Sequence, residues 1–230
     1  MRVEVVVFDA YGTLFDVYSV GQLADTLYPG QGAAIAALWR DKQLEYSRLV
    51  SLSDPSPGGS RHYLDFWQIT QRALRYALAR VGAAHQPAHE AALMAQYRHL
   101  TPFPENAAVL QRVQELGLST AILSNANRDM LDAAAAAAGY GERLDAVLSV
   151  DAVRHFKTTP ASYQLVLERF AVDPQAVLFV SSNGWDVMGA TWFGFRTLWV
   201  NRAGLPPETI GPLPTFEGRS LSDVLRMLDD

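Results

Sequence analysis

The chain has 230 residues, of which 49% are hydrophobic and 19% charged, and its formal net charge is −5. A chain of this size can bury a substantial core, and its composition excludes both a disordered polar chain and the concentrated basic face that nucleic-acid binding requires. It has no cysteine, which excludes disulfides, thiolate metal ligands and a cysteine nucleophile and leaves chemistry to oxygen and nitrogen side chains.

Met1, Arg2, Val3 and Glu4 lead into an apolar run that Asp9 interrupts. The run is too short for a signal peptide or a membrane span, so a cytoplasmic protein with no membrane partner is expected. Residues 3–8 are rich in β-branched side chains, the pattern of a buried parallel strand, and Gly12-Thr13 marks a tight turn after it. Residues 15–104 then intervene before the next strand, far more than one crossover connection needs. Ile35, Leu38 and Leu49 within 31–49, and Phe66, Trp67, Leu74 and Leu78 within 63–81, recur with helical spacing, so this interval reads as an inserted helical cap. Inside it, Pro55, Pro57, Gly58 and Gly59 make 51–60 a loop, and Pro102 and Pro104 mark the return.

Further apolar strands are predicted at 119–123, 146–150, 176–180 and 196–200, with helices at 106–116, 129–138, 160–170 and 185–193. Pro160 suits a first helical turn, and Gly117 and Gly139 suit helix ends. This alternation predicts an α/β protein with a Rossmann-like, five-stranded parallel core sheet flanked by helices. Its core domain is expected at 1–14 and 105–230, with the helical cap domain at 15–104.

In open parallel sheets the ligand crevice lies beyond the carboxyl ends of the strands. The sequence places there Asp9 with Thr13, then Ser124 with Asn125, then Lys157, then Ser181-Ser182-Asn183-Gly184-Trp185-Asp186. A carboxylate that must stay ionised to attack is best placed beside a cation, and Lys157 can supply one. The five histidines show no paired ligand spacing and are read as surface residues; neither a metal nor a cofactor is expected.

A nucleophilic Asp before Gly-Thr, a Ser after the second strand, a Lys and a terminal acidic motif, in this order, resemble the haloacid dehalogenase superfamily over essentially the whole chain. Phe8-Asp9-Ala10-Tyr11-Gly12-Thr13-Leu14-Phe15-Asp16-Val17 and Phe179-Val180-Ser181-Ser182-Asn183-Gly184-Trp185-Asp186 look like the L-2-haloacid dehalogenase signatures. Leu38-Trp39-Arg40, Asp65-Phe66-Trp67 and Trp199-Val200-Asn201-Arg202 continue the similarity. Where the superfamily's phosphatases carry a second Asp, this chain has Tyr11, and it offers Asn183 before its single Asp186.

The resemblance implies attack by Asp9 on the halogen-bearing carbon of a 2-haloacid, inversion, and an aspartyl ester opened by water to the D-2-hydroxyacid and free halide. It implies that Arg40 and Asn125, with the edge of Phe66, receive halide, that Ser124 holds the substrate carboxylate, and that Tyr11 and Trp185 also face substrate. Asn183, Asp186, Ser181 and Lys157 would position and activate the water, while Thr13 and Tyr163 support Asp9 and Lys157. It further implies a homodimer. Two departures from the family pattern stand out: Lys157 is followed by Thr158 rather than Pro, and the loop 53–59 is longer, which bears on substrate range. The alternatives are a magnesium-dependent phosphatase of the superfamily and a non-catalytic binding protein on the same fold.

Overall fold

The structure is a computed structural model that describes residues 2–228. Its centre is the strand β1 (Val5–Phe8), whose four side chains are all buried. Alternate residues point to opposite faces of a sheet. Val6 and Phe8 accordingly enter one core, and Val5 and Val7 enter a second beneath the other face. Burial on both faces is why this segment is continuously apolar rather than alternating.

Four helices follow in the chain: α1 (Val20–Leu27), α2 (Gly32–Leu52), α3 (Phe66–Arg80) and α4 (Pro87–Arg98). α3 begins where Asp65 accepts the Gln68 N–H, an N-cap that supplies one of the helix's orphan donors with a partner. Ile35 and Trp39 of α2 and Phe66, Ile69 and Leu74 of α3 belong to the same buried cluster as Val6 and Phe8, so the core continues from the sheet into these helices. Trp39 donates its indole N–H to the Thr70 carbonyl at 2.8 Å, and Gln43 bridges the Thr70 hydroxyl and Tyr97.

The chain then runs through α5 (Asn106–Glu115), β2 (Ser119–Ser124), α6 (Arg128–Ala137), β3 (Ala146–Ser149), α7 (Pro160–Phe170), β4 (Val177–Ser181), α8 (Gly184–Phe193), β5 (Arg196–Val200), β6 (Phe216–Gly218) and α9 (Asp223–Leu228). All strand pairs are parallel, in the order β3-β2-β1-β4-β5-β6. The sheet therefore has six strands where the sequence predicted five. β6 escapes detection because it has three residues, one of them apolar, and follows a Gly- and Pro-rich stretch; pairing with β5, with Val200 opposite Gly218, is what makes it a strand.

From β1 the chain moves outward to β2 and β3, then returns to β4 beside β1 and moves outward the other way. The connections diverge between β1 and β4, where open α/β sheets bind ligands. Phe8 lies opposite Ile122 on one side and Val180 on the other, and the next residue, Asp9, donates its N–H to the Val180 carbonyl at 2.9 Å. Among the described residues no helix is long and apolar enough to cross a membrane.

Candidate active site

Asp9 leaves β1 into a tight turn in which the N–H groups of Thr13, Leu14 and Phe15 all donate to the Ala10 carbonyl. Gly12 permits that turn: its φ is +95°, a region closed to most residues with a Cβ, and Asn183 lies within 3.5 Å of where a Cβ would sit. The turn folds Thr13 back so that its hydroxyl donates to Asp9 Oδ2 at 2.9 Å.

β4 supplies the opposite wall. Ser181 donates to the same Oδ2 at 3.3 Å and accepts the Asn183 N–H at 3.1 Å. Asn183 precedes α8 but makes no side-chain cap; its Nδ2 donates to Asp9 Oδ2 at 2.8 Å and to the Tyr11 carbonyl at 3.1 Å. The Ser182 N–H donates to Thr13 Oγ1 at 2.8 Å, which orients the hydroxyl that serves Asp9.

Lys157 closes the cluster. Its Nζ lies 3.1 Å from Asp9 Oδ1 and 2.8 Å from Asp186 Oδ2, and its side chain is wholly buried. Burial works against the ammonium, but the adjacent Asp186 and Asp9 carboxylates outweigh it and raise Lys157 above its ordinary value. Asp186 is fully buried, and desolvation pushes it up to about 6 against the opposing pull of Lys157. Tyr163 donates to Asp186 Oδ1 at 2.8 Å, and burial holds its phenol far above the ordinary value.

The main chain that presents Lys157 is itself pinned, since its N–H donates to Asn125 Oδ1 at 2.9 Å. The Lys157–Thr158 peptide is cis.

Asp9, Thr13, Ser181, Asn183, Lys157, Asp186 and Tyr163 thus form one continuous network. Arg40 reaches it from α2, its guanidinium donating to Asn183 Oδ1 at 3.2 Å. Ser124 is not hydrogen-bonded to Asp9; its hydroxyl accepts the Ala126 N–H at 3.1 Å, shaping the turn that carries Asn125. Tyr11 stacks on Tyr97 with centroids 5.5 Å apart and lies 6.2 Å from Phe66; its hydroxyl is buried without a partner. Trp185 faces Arg48 of α2 at 5.3 Å. Sequence reading passed over the Ser182 amide, which carries no side-chain signal, and Phe156, whose buried ring lies between Tyr63 and Phe66. His155 corrects the reading of the histidines as surface residues: it is buried, with Nε2 2.8 Å from the Ser56 carbonyl, a long-range partner, while its Nδ1 is buried without one.

The family model of haloacid dehalogenase-like hydrolases matches residues 3–194. The chain is 40% identical over 228 residues to the (S)-2-haloacid dehalogenase H-109 of Pseudomonas putida, covering 99% of each chain. It superposes on the solved L-2-haloacid dehalogenase RSc1362 with a TM-score of 0.97 and 49% identity, over 100% of both chains. With the L-2-haloacid dehalogenase of Xanthobacter autotrophicus, solved with chloropropionic acid covalently bound, the TM-score is 0.89 and the identity 41%, over 99% of both chains.

Proposed function

Since the chain belongs to the haloacid dehalogenase-like hydrolase family, we propose that it hydrolyses short-chain L-2-haloacids to D-2-hydroxyacids and halide. The observation that carries this reading is the setting of Asp9. Three donors hold Oδ2, whereas Oδ1 meets Lys157, so Oδ1 keeps the freer lone pairs for attack.

Oδ1 forms a bond to C2 of the substrate from the side opposite the halogen, and the carbon–halogen electron pair leaves with the halide. Arg40 and Asn125, with Phe66 alongside, receive the halide as its charge develops. Ser124 and neighbouring amides hold the substrate carboxylate, and Tyr11 and Trp185 line the substrate's surroundings. The product of this step is an ester on Asp9, as supported by the covalent chloropropionic acid of the Xanthobacter relative.

Water then attacks the ester carbonyl carbon of Asp9. Its oxygen stays in the regenerated carboxylate, one proton goes to the departing 2-oxygen, and the other is released. Asn183 and Ser181 position the water. Asp186, raised to about 6, is a base matched to neutral pH, with Lys157 between it and Asp9. Thr13 and Tyr163 hold Asp9 and Asp186 in place.

Tyr11 stands where a phosphatase needs its acid, and Asn183 rather than a second carboxylate precedes Asp186, so the phosphatase reading is not favoured. Residues 1–14 and 105–230 are taken as the core domain and 15–104 as the cap that closes over it. A homodimer is part of the proposal, supported by Leu49, Leu52 and Tyr76, which are exposed on α2 and α3, as is a cytoplasmic location.

The test is halide release from L- and D-2-chloropropionate with EDTA present, for the native protein and for Asp9→Asn. Release from the L form alone, lost in the variant, is expected. Magnesium-dependent phosphate release from phosphate esters with no halide release would overturn the reading.

A further inference from the structure

Lys157 is presented by a short stretch of main chain whose polar groups are held by side chains. Ser162 donates to the His155 carbonyl at 2.8 Å, Thr159 donates to the Phe156 carbonyl at 3.0 Å, and Asn125 accepts the Lys157 N–H. All three donors and acceptors lie after β2 in the chain. The Phe156 N–H is different: it donates at 2.9 Å to Oγ of Ser51, a buried residue near the end of α2.

Ser51 and Arg40 occupy the same helix, eleven positions apart. At 100° per residue that spacing returns to within about 20° of the same face, with the two side chains separated by about 16 Å along the axis. Through these two side chains α2 reaches the surroundings of Asp9 and Lys157 at two points on one face. Arg40 donates to Asn183, which holds Asp9 Oδ2, and Ser51 accepts from Phe156, which precedes the lysine at Asp9 Oδ1. Nearby contacts reinforce the second point. The Ser60 N–H donates to the Arg154 carbonyl, Tyr63 donates to Asp151, and the Tyr63 ring stacks on Phe156 with centroids 5.1 Å apart.

We propose that Ser51 is a positioning residue for Lys157, and that α2 is a strut fixing the placement of Arg40 relative to Lys157 across the site. The inference rests on the dehalogenase reading for its effect on turnover, but not for its effect on Lys157. Removing the Ser51 hydroxyl leaves the Phe156 N–H without its acceptor, so the main chain bearing Lys157 shifts. The lysine then loses its setting between Asp9 and Asp186.

The sequence offers a direct probe, because Lys42 and Lys157 are the chain's two lysines. Lysine labelled with 15N gives one side-chain signal from each. In Ser51→Ala, the Lys157 signal is expected to move while that of Lys42 stays. With L-2-chloropropionate, kcat is expected to fall about tenfold and KM to change less than about twofold, as misplacement of a reacting group predicts. Ser51→Thr, which retains the hydroxyl, should restore both.

A folded Ser51→Ala protein with native kcat, or with an unmoved Lys157 signal, overturns the proposal. If the alanine variant does not fold, Ser51→Cys, close in volume but a weak acceptor, is read in the same way. If the native protein releases no halide, the dehalogenase reading falls, and the Lys157 signal alone decides the role of Ser51.

Discussion

Asp186 is fully buried, and its charge state depends on three neighbours. Lys157 and Tyr163 both donate to it, and both favour the ionised form, whereas burial and the nearby Asp9 favour the neutral one. Burial prevails, which is why Asp186 stands near 6 rather than in the ordinary carboxylate range. If Asp186 must be ionised to take the proton from water, kcat falls as pH drops through that value. Tyr163→Phe removes a donor that lowers the pKa, so the acid limb should move to higher pH. The kcat profile for halide release between about pH 5 and 8 measures this. A limb that stays in place in the variant would separate Asp186 from the proton transfer.

Individual elements carry their own trade-offs. α3 and α4 are joined through Glu90, a buried carboxylate that accepts from Arg75 twice, from Gln71 and from His85. The Arg75 hydrogen bonds lead in holding Glu90 down at about 2, against the upward push of burial. A lowered native value stabilises the fold above the unfolded carboxylate's range and is lost as pH falls from about 4.5 to about 2. Because Arg75 and His85 are half exposed, Glu90→Gln should cost only about 1–2 kcal/mol at pH 7. That cost should shrink towards pH 3 in parallel urea titrations; a pH-independent difference would mean that the carboxylate charge is irrelevant. In α8, replacing a mid-helix glycine with alanine ordinarily gains about 1 kcal/mol. At Gly189, however, a Cβ would sit 2.5 Å from Thr158 Cγ2 and 2.6 Å from the Tyr163 hydroxyl. Gly189→Ala should therefore lower the melting temperature and reduce activity together, since the shifted groups adjoin Lys157 and Asp186. Such packing is invisible in the sequence, where Gly189 reads as a weak helix residue. The strands at 119–123 and 176–180 and the helix starting at Pro160 were legible because β-branched runs and a first-turn proline are local signals. β6, α1 and α4 were not, because they are short or lack a sharp apolar period and depend on their neighbours.

At the scale of the whole molecule, the site brings together residues far apart in the chain. Lys157 lies 148 positions from Asp9, Asn183 lies 174 from Asp9, and Arg40 lies 143 from Asn183. The residue types and their order at strand ends were legible because parallel-sheet topology brings strand ends together whatever lies between them. The distances were not, and neither was the role proposed for Arg40, which looks like any charge on an amphipathic helix and is suggested by resemblance alone. Its placement has an electrostatic consequence. Asp9 and Asp186 contribute two carboxylates, and Lys157 and Arg40 two cations, so the site is close to balanced before an anionic substrate arrives and a halide departs. Two unit charges 4 Å apart interact by about 4 kcal/mol at an effective dielectric of 20, enough for the loss of Arg40 to dominate turnover. Arg40→Ala should lower kcat/KM by at least about a hundredfold, and Arg40→Lys, which keeps the charge but loses the planar fork, by about tenfold. Arg40 is only partly buried and lies outside the apolar core, so both variants should unfold within about 1 kcal/mol of the native protein. Halide release and urea titration on the same preparations separate the two effects. Native turnover in Arg40→Ala would place halide capture elsewhere, whereas a large stability loss would make Arg40 a structural link between α2 and the sheet.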